Sequence, residues 1–118
     1  MSVNVRTRRV DGVLVASLHG ELDDHAADSV RRALDRELDA MSRPRLVLDL
    51  KGVTFMDSSG LGVILGRYRK IAERGGQMRI ASVPAPVHKL FAISGLHKIM
   101  PIHAEQSEAV RALKEVSQ

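Results

Sequence analysis

The sequence contains no cysteine, and only 3% of its residues are aromatic. Without cysteine the chain has no disulfide framework, no thiolate metal site and no cysteine nucleophile. Because aromatic rings are so few, the core must be built from aliphatic side chains. The absence of disulfide chemistry fits a cytoplasmic protein, and we expect that location.

Long apolar runs are also missing. No stretch approaches the roughly 20 apolar residues that a membrane-spanning helix needs, and residues 1–6 lack the apolar core of a signal peptide. The net charge is +4, but the Lys and Arg residues are spread along the chain and no set of aromatic side chains accompanies them. We therefore expect neither a membrane nor a nucleic acid as a partner.

Short strand patterns are present in several places. Asp11-Gly12, between two apolar stretches, predicts a hairpin whose first strand covers about residues 3–7 and whose second covers 13–18, ending at Gly20. The apolar run at 46–50 predicts a strand that is buried on both faces, as in a parallel sheet. Residues 78–81 predict a fourth strand, and residues 98–102 a short fifth one.

Apolar residues spaced three and four apart predict four helices between these strands. The first runs to about Met41, and the second begins within Asp57-Ser58-Ser59-Gly60 and ends at Gly75-Gly76. The third opens at 84–86, and the fourth covers about 105–115. The alternation predicts one α/β domain over residues 1–118, with a mixed sheet of four to five strands and about four helices packed on it.

The serine pair lies where the second helix starts. Asp57, Ser58 or Ser59 can cap that helix, and a capping turn alone is the simplest interpretation. The alternative is that the first turn presents a serine hydroxyl for phosphorylation, because the helix dipole tolerates the added negative charge. A serine hydrolase needs G-x-S-x-G, and neither serine lies between two such glycines. We therefore expect no catalytic residue.

The second helix is rich in glycine and, in its later part, in positive charge. No phosphate-binding glycine loop of the known types occurs, so we interpret Gly60, Gly62 and Gly66 as places where the helix packs closely on the sheet. The cations that follow lie where the helix dipole favours them; they are Arg67, Arg69, Lys70 and Arg74.

An acidic loop over residues 21–25 precedes the first helix. Its adjacent side chains Asp23, Asp24 and His25 seldom converge on one ion without a fixed loop, so we expect capping and solvation and no metal. This loop and the serine turn both lead into helices. In an open parallel sheet the ends of neighbouring strands lie at one edge, so the two loops are expected to form one partner-binding surface.

A family resemblance supports this interpretation. The segment Phe55-Met56-Asp57-Ser58-Ser59-Gly60-Leu61-Gly62-Val63-Ile64-Leu65-Gly66-Arg67-Tyr68 closely resembles the signature of STAS-domain anti-sigma factor antagonists, especially the sporulation type. Gly20-Glu21-Leu22-Asp23 and the stretches 86–91 and 94–99 resemble other parts of that family, so the resemblance spans nearly the whole chain.

The resemblance implies a partner-switching function. An unphosphorylated antagonist binds an anti-sigma factor that is also a serine kinase, and this frees a sigma factor for a programme such as sporulation or a stress response. The kinase uses ATP to phosphorylate the antagonist, and the phosphorylated antagonist then dissociates from the kinase. A PP2C-type phosphatase removes the phosphate and so restores the active antagonist. The alternatives are a STAS module that binds a nucleotide or other small ligand, or one that acts in another signalling assembly.

The resemblance also implies the site residues. Ser58 matches the phosphate acceptor, with Ser59 as the second choice, and Asp23 matches a position in the partner-facing loop. Asp24 stands where the family commonly has the first of two histidines, before His25. No cofactor, no metal and no catalytic group is expected. The predicted partner-binding residues are Glu21, Asp23, Asp24, Asp57, Ser58, Ser59, Gly60 and Gly62.

Overall fold

The strands form one mixed sheet in the order β1-β2-β3-β4-β5. This computed structural model describes residues 3–116, so residues 1, 2, 117 and 118 of the predicted domain lie outside the described part. The strands are β1 Val3–Val10, β2 Val13–Leu22, β3 Arg45–Met56, β4 Gln77–Ala81 and β5 Ile102–His103. The helices are α1 Asp24–Leu38, α2 Ser58–Glu73, α3 His88–Ser94 and α4 Gln106–Val116, with 3₁₀ turns at Ala85–Val87 and Leu96–Lys98. The predicted fold class is confirmed.

The hairpin between β1 and β2 is the antiparallel part of the sheet. Asp11 and Gly12 both have positive φ, at 52° and 82°, which is the geometry of the tight turn that an Asp-Gly pair favours. The turn pairs Val10 with Val13. The other neighbours, β2 with β3, β3 with β4 and β4 with β5, run parallel.

Both faces of the sheet are covered by helices. Leu46 and Leu48 of β3 point into the larger core, which the sheet shares with α1, α2 and the segment around Phe91. Val47 points to the opposite face, where α4 covers a smaller cluster with Ala109 and Leu113. Burial on both faces explains the continuous apolar run in β3, as the sequence predicted.

Three predicted boundaries were wrong near the site. β2 continues past Gly20 to Leu22, because residues 19–22 pair with 52–56 of β3 across two register irregularities. β3 accordingly runs to Met56. Helix α1 ends at Leu38 rather than near Met41. The Arg74 guanidinium donates a hydrogen bond to the Leu38 carbonyl oxygen at this helix end, at 3.1 Å.

The last third of the chain also differs from expectation. Gly95 has a φ of 74° and ends α3, and the following residues form a 3₁₀ turn, so residues 98–101 are not a strand. The fifth strand is limited to Ile102 and His103, which pair with Ile80 and Ala81. In the described range 3–116, no helix combines the length and apolar character that crossing a membrane requires.

His103 lies on β5 against the buried side of Arg79. The Nη1 atom of Arg79 is 3.1 Å from Nε2 of His103. Burial lowers the pKa of the His103 imidazole, the positive charge of Arg79 lowers it further, and Glu108 of α4 acts in the opposite direction. The folded state therefore favours the neutral imidazole.

We expect the free energy of unfolding to decrease as the pH falls through about 6.5, because the unfolded chain then binds a proton at His103 that the folded chain does not. The decrease should stop below the lowered pKa of the folded state. The free energy of unfolding can be measured by urea unfolding at several pH values between roughly 7.5 and 5. The slope of this free energy against pH should be smaller for His103→Gln than for the unsubstituted protein. His97→Gln, at an exposed position, is the control, and an unchanged slope in His103→Gln would contradict the prediction.

Candidate functional site

Asp57 caps helix α2 and thereby leaves both serines in its first turn. The Asp57 carboxylate accepts hydrogen bonds from the backbone N–H groups of Ser59 and Gly60, at 2.9 and 3.2 Å. Of the three possible caps, the structure thus selects the aspartate. Ser58 is the first residue of the helix and is exposed, whereas Ser59 is half-buried.

The two helices that precede and follow β3 begin side by side. Leu22 and Met56, the last residues of β2 and β3, lie opposite each other in the parallel register. The Asp57 N–H points to the Leu22 carbonyl oxygen at 3.5 Å. Asp23 caps α1 by accepting from the Ala26 N–H at 3.0 Å. The expectation that the two helix-leading turns are neighbours is confirmed.

The acidic loop is shorter than predicted. Glu21 belongs to β2, where it is half-buried and lies opposite Phe55, while Asp24 and His25 are the exposed first residues of α1. Only Asp23 remains as a connecting residue, because strand pairing extends to Leu22. Asp24 and His25 form an exposed pair at 3.1 Å.

The side chains of residues 23–25 are close enough to share a cation. Their ligand atoms lie within 4.8 Å of one another. One Asp23 oxygen is, however, already used as the cap of α1, and Asp24 and His25 are exposed. Exposed acidic groups of this kind are common without an ion, so this geometry does not define a metal centre.

The three glycines of α2 have different surroundings. A Cβ added at Gly60 would lie 2.6 Å from both the Leu22 carbonyl oxygen and Cγ of Met56, which confirms close packing there. A Cβ at Gly62 or Gly66 would meet nothing within 4 Å, so the packing interpretation is wrong for these two. Gly62 is exposed, and a glycine inside a helix costs about 0.5–1 kcal/mol relative to alanine.

Helices α1 and α2 are joined by ion pairs. Nε of Arg67 is 3.1 Å from Oδ1 of Asp35, and Nζ of Lys70 is 2.6 Å from Oδ1 of Asp39. Arg74 also pairs with Asp39, at 3.5 Å. Three of the four cations that the sequence placed late in this helix therefore bind carboxylates on α1 or at its C-terminal end, in addition to any interaction with the helix dipole. Burial lowers the pKa of the Arg67 guanidinium, and Asp35 opposes that effect.

An open groove of about 310 Å³ runs between α1 and α2 and reaches the serine turn. We call it the α1–α2 groove. Its walls are formed by Asp24, Ala27, Asp28, Arg31, Ser59, Gly62, Val63 and Arg67. Arg31 and Arg67 were missed as site residues. The signal for Arg31 was its spacing of three and four residues from Asp28 and Asp35 on α1. The signal for Arg67 was the row of cations on α2, but only the helix pairing shows that this row meets the acids of α1.

Phe55 is a second residue that the sequence did not single out. Its side chain is 47% exposed, although it is a large aromatic group directly before Met56 and the serine turn. Exposed aromatic side chains often anchor protein–protein contacts. Its position beside Glu21 places it at the same end of the sheet as Ser58.

The chain belongs to the STAS domain family, whose family model matches residues 4–109. It is 45% identical, over 99% of its length, to the whole of an anti-sigma F factor antagonist from Paenibacillus polymyxa. Among solved structures it is similar to an anti-sigma factor antagonist from Mycobacterium paratuberculosis, with a TM-score of 0.86, 27% identity and coverage of 95% of this chain and 94% of the other. It is also similar to the phosphorylated form of the Bacillus cell fate determinant SpoIIAA, with a TM-score of 0.71, 28% identity and coverage of 92% and 98%.

The contrast between Gly60 and Gly62 gives a matched pair of substitutions. Gly60→Ala should lower the free energy of unfolding by about 1–3 kcal/mol, because the new methyl group has no room against Leu22 and Met56. Gly62→Ala should raise it by about 0.5–1 kcal/mol, because the methyl group meets open space and the helix gains propensity. Urea unfolding of both variants checks this, and the opposite order would show that α2 is rotated relative to the sheet.

Proposed function

We propose that this protein is an anti-sigma factor antagonist. In its unphosphorylated form it binds an anti-sigma factor with serine kinase activity and so frees a sigma factor for transcription. The observation that supports this most directly is the exposed Ser58 at the first position of α2, in a turn whose capping is already provided by Asp57. The similarity to an anti-sigma F factor antagonist over 99% of the chain supports the same function.

Ser58 is the better acceptor of the two serines. Its hydroxyl makes no hydrogen bond to any residue in the range 3–116, and it is exposed, so a kinase can reach it. Ser59 is half-buried and lines the α1–α2 groove. From the sequence, only the family resemblance favoured Ser58 over Ser59 as the acceptor. The greater exposure of Ser58 is a physical reason for the same choice.

A phosphate on Ser58 would alter the surface more than the fold. At the start of α2 the helix dipole offsets part of the added charge, by about 0.3–1 kcal/mol. The same charge would join the carboxylates of Asp23, Asp24 and Asp57 at one edge of the sheet. A partner that fits the unphosphorylated edge then meets like charges, which cost several kcal/mol at an interface.

The proposed partner surface consists of the predicted residues in their observed places. Asp24, Ser58 and Gly62 are exposed and suited to direct contact, whereas Glu21, Asp23, Asp57 and Ser59 are half-buried. Gly60 is buried, and its part is to hold α2 close to β2. The exposed position of Ser58 would equally admit a PP2C-type phosphatase. In this proposal the protein is a cytoplasmic regulatory module and not an enzyme.

Intact-mass measurement tests the acceptor. After incubation with ATP and a candidate anti-sigma kinase from the same cells, the protein should gain one phosphate. Ser58→Ala should abolish this gain, and Ser59→Ala should retain it, because only the Ser58 hydroxyl is both exposed and free of hydrogen bonds. Modification of Ser58→Ala to the same extent would overturn the assignment. Tight retention of nucleotide without any modification would favour a nucleotide-binding STAS module.

A further inference from the structure

The contact between α1 and α2 has more positive than negative charge. Four cationic side chains share three carboxylates along it: Arg31, Arg67, Lys70 and Arg74 pair with Asp28, Asp35 and Asp39. Asp24, at the end of the groove near the serine turn, pairs instead with His25. The described residues therefore leave this contact short of negative charge.

Arg67 is the least satisfied of these cations. The residue is only 8% exposed. Its Nε atom lies 3.1 Å from Asp35 but without the geometry of a hydrogen bond, and its Nη1 atom has no hydrogen-bond partner among residues 3–116. A buried guanidinium that is incompletely paired is unfavourable. Nε and Nη1 are inaccessible to solvent, but Arg67 also forms part of the groove wall, so the negative charge of a carboxylate in the groove would stabilise its guanidinium.

The glycines of α2 provide the approach to the groove. Gly62 lies in its wall, and neither Gly62 nor Gly66 would place a Cβ within 4 Å of any other group. Packing within this chain therefore gives no reason for glycine at either position. The missing side chains do allow the backbone of another protein to come close to α2, as small residues do at tight helix contacts.

We propose that the α1–α2 groove receives an acidic side chain of the anti-sigma factor, which pairs with Arg31 and Arg67 while the partner's backbone lies over Gly62. This rests on the proposed function and specifies the partner's chemistry. The groove is continuous with the serine turn through Ser59. The chain's own phosphate is the weaker candidate, because Ser58 is exposed and is not part of the groove wall.

The arrangement also fixes the orientation of the partner. The serine turn is flanked by Asp23 and Asp24. Further along α2, three cations, Arg67, Lys70 and Arg74, share the two carboxylates of Asp35 and Asp39. A complementary partner must therefore present positive charge at the turn and an acidic group at the groove. Such alternation of charge excludes the reversed orientation and unrelated partners.

Binding measurements with matched arginine variants test the inference. Arg67→Lys keeps the charge but loses the planar fork that pairs with a carboxylate, and should weaken binding to the cognate anti-sigma factor about tenfold or more. Arg31→Glu should weaken it at least as much, and an acid-to-Arg substitution in the partner should restore it. Arg32→Gln is the control, because Arg32 also pairs with Asp28 but is not in the groove wall; it should change the affinity less than about twofold.

The outcomes separate this inference from the proposed function. Thermal unfolding first establishes that each variant is folded; Arg31, whose side chain is 46% exposed, serves if Arg67→Lys is unstable. If the unsubstituted protein binds no anti-sigma factor, both proposals are overturned. If it binds and the Arg31 and Arg67 variants bind equally well, only the groove inference is wrong. It is also wrong if Arg31→Glu destabilises only the Ser58-phosphorylated protein, since the groove would then hold the chain's own phosphate.

Discussion

The parallel pairing of β2 with β3 is the constraint on which the site depends. Because Leu22 lies opposite Met56, the two strands end together and α1 and α2 start side by side. That closeness leaves no room for a side chain at Gly60, whose Cβ would collide with the Leu22 carbonyl oxygen. With Asp57 acting as the cap of α2, Ser58 is left exposed at the edge where two capped helices begin.

Charge is distributed unevenly over the surface that results. Carboxylates surround the serine turn, while cations exceed carboxylates along the contact between α1 and α2. In the proposed function, the helix dipole would make a phosphate at Ser58 tolerable for the fold, and the neighbouring acids would make it unfavourable for a partner. Stability and binding would thus respond differently to the same modification, which is the property that the proposed switch requires.

The sequence was sufficient for features that local patterns determine. Apolar periodicity predicted the order of strands and helices. Local sequence also predicted the Asp11-Gly12 turn and the start of α2 next to Asp57. The extension of β2 through Glu21 was not, because a polar strand end between glycine and aspartate has the composition of a loop. The roles of Gly62 and Arg67 depend on how α2 is rotated against the sheet and against α1, and no single-sequence pattern specifies that rotation.

The central claim is that a phosphate on Ser58 changes the partner-facing surface and leaves the fold intact. The most direct test measures affinity for the cognate anti-sigma factor and thermal unfolding for the unphosphorylated and the singly phosphorylated protein in the same buffer. We predict that the affinity falls by roughly a thousandfold, while the unfolding midpoint shifts by less than about 5 °C. Equal affinities of the two forms, or loss of the folded state on phosphorylation, would contradict the account.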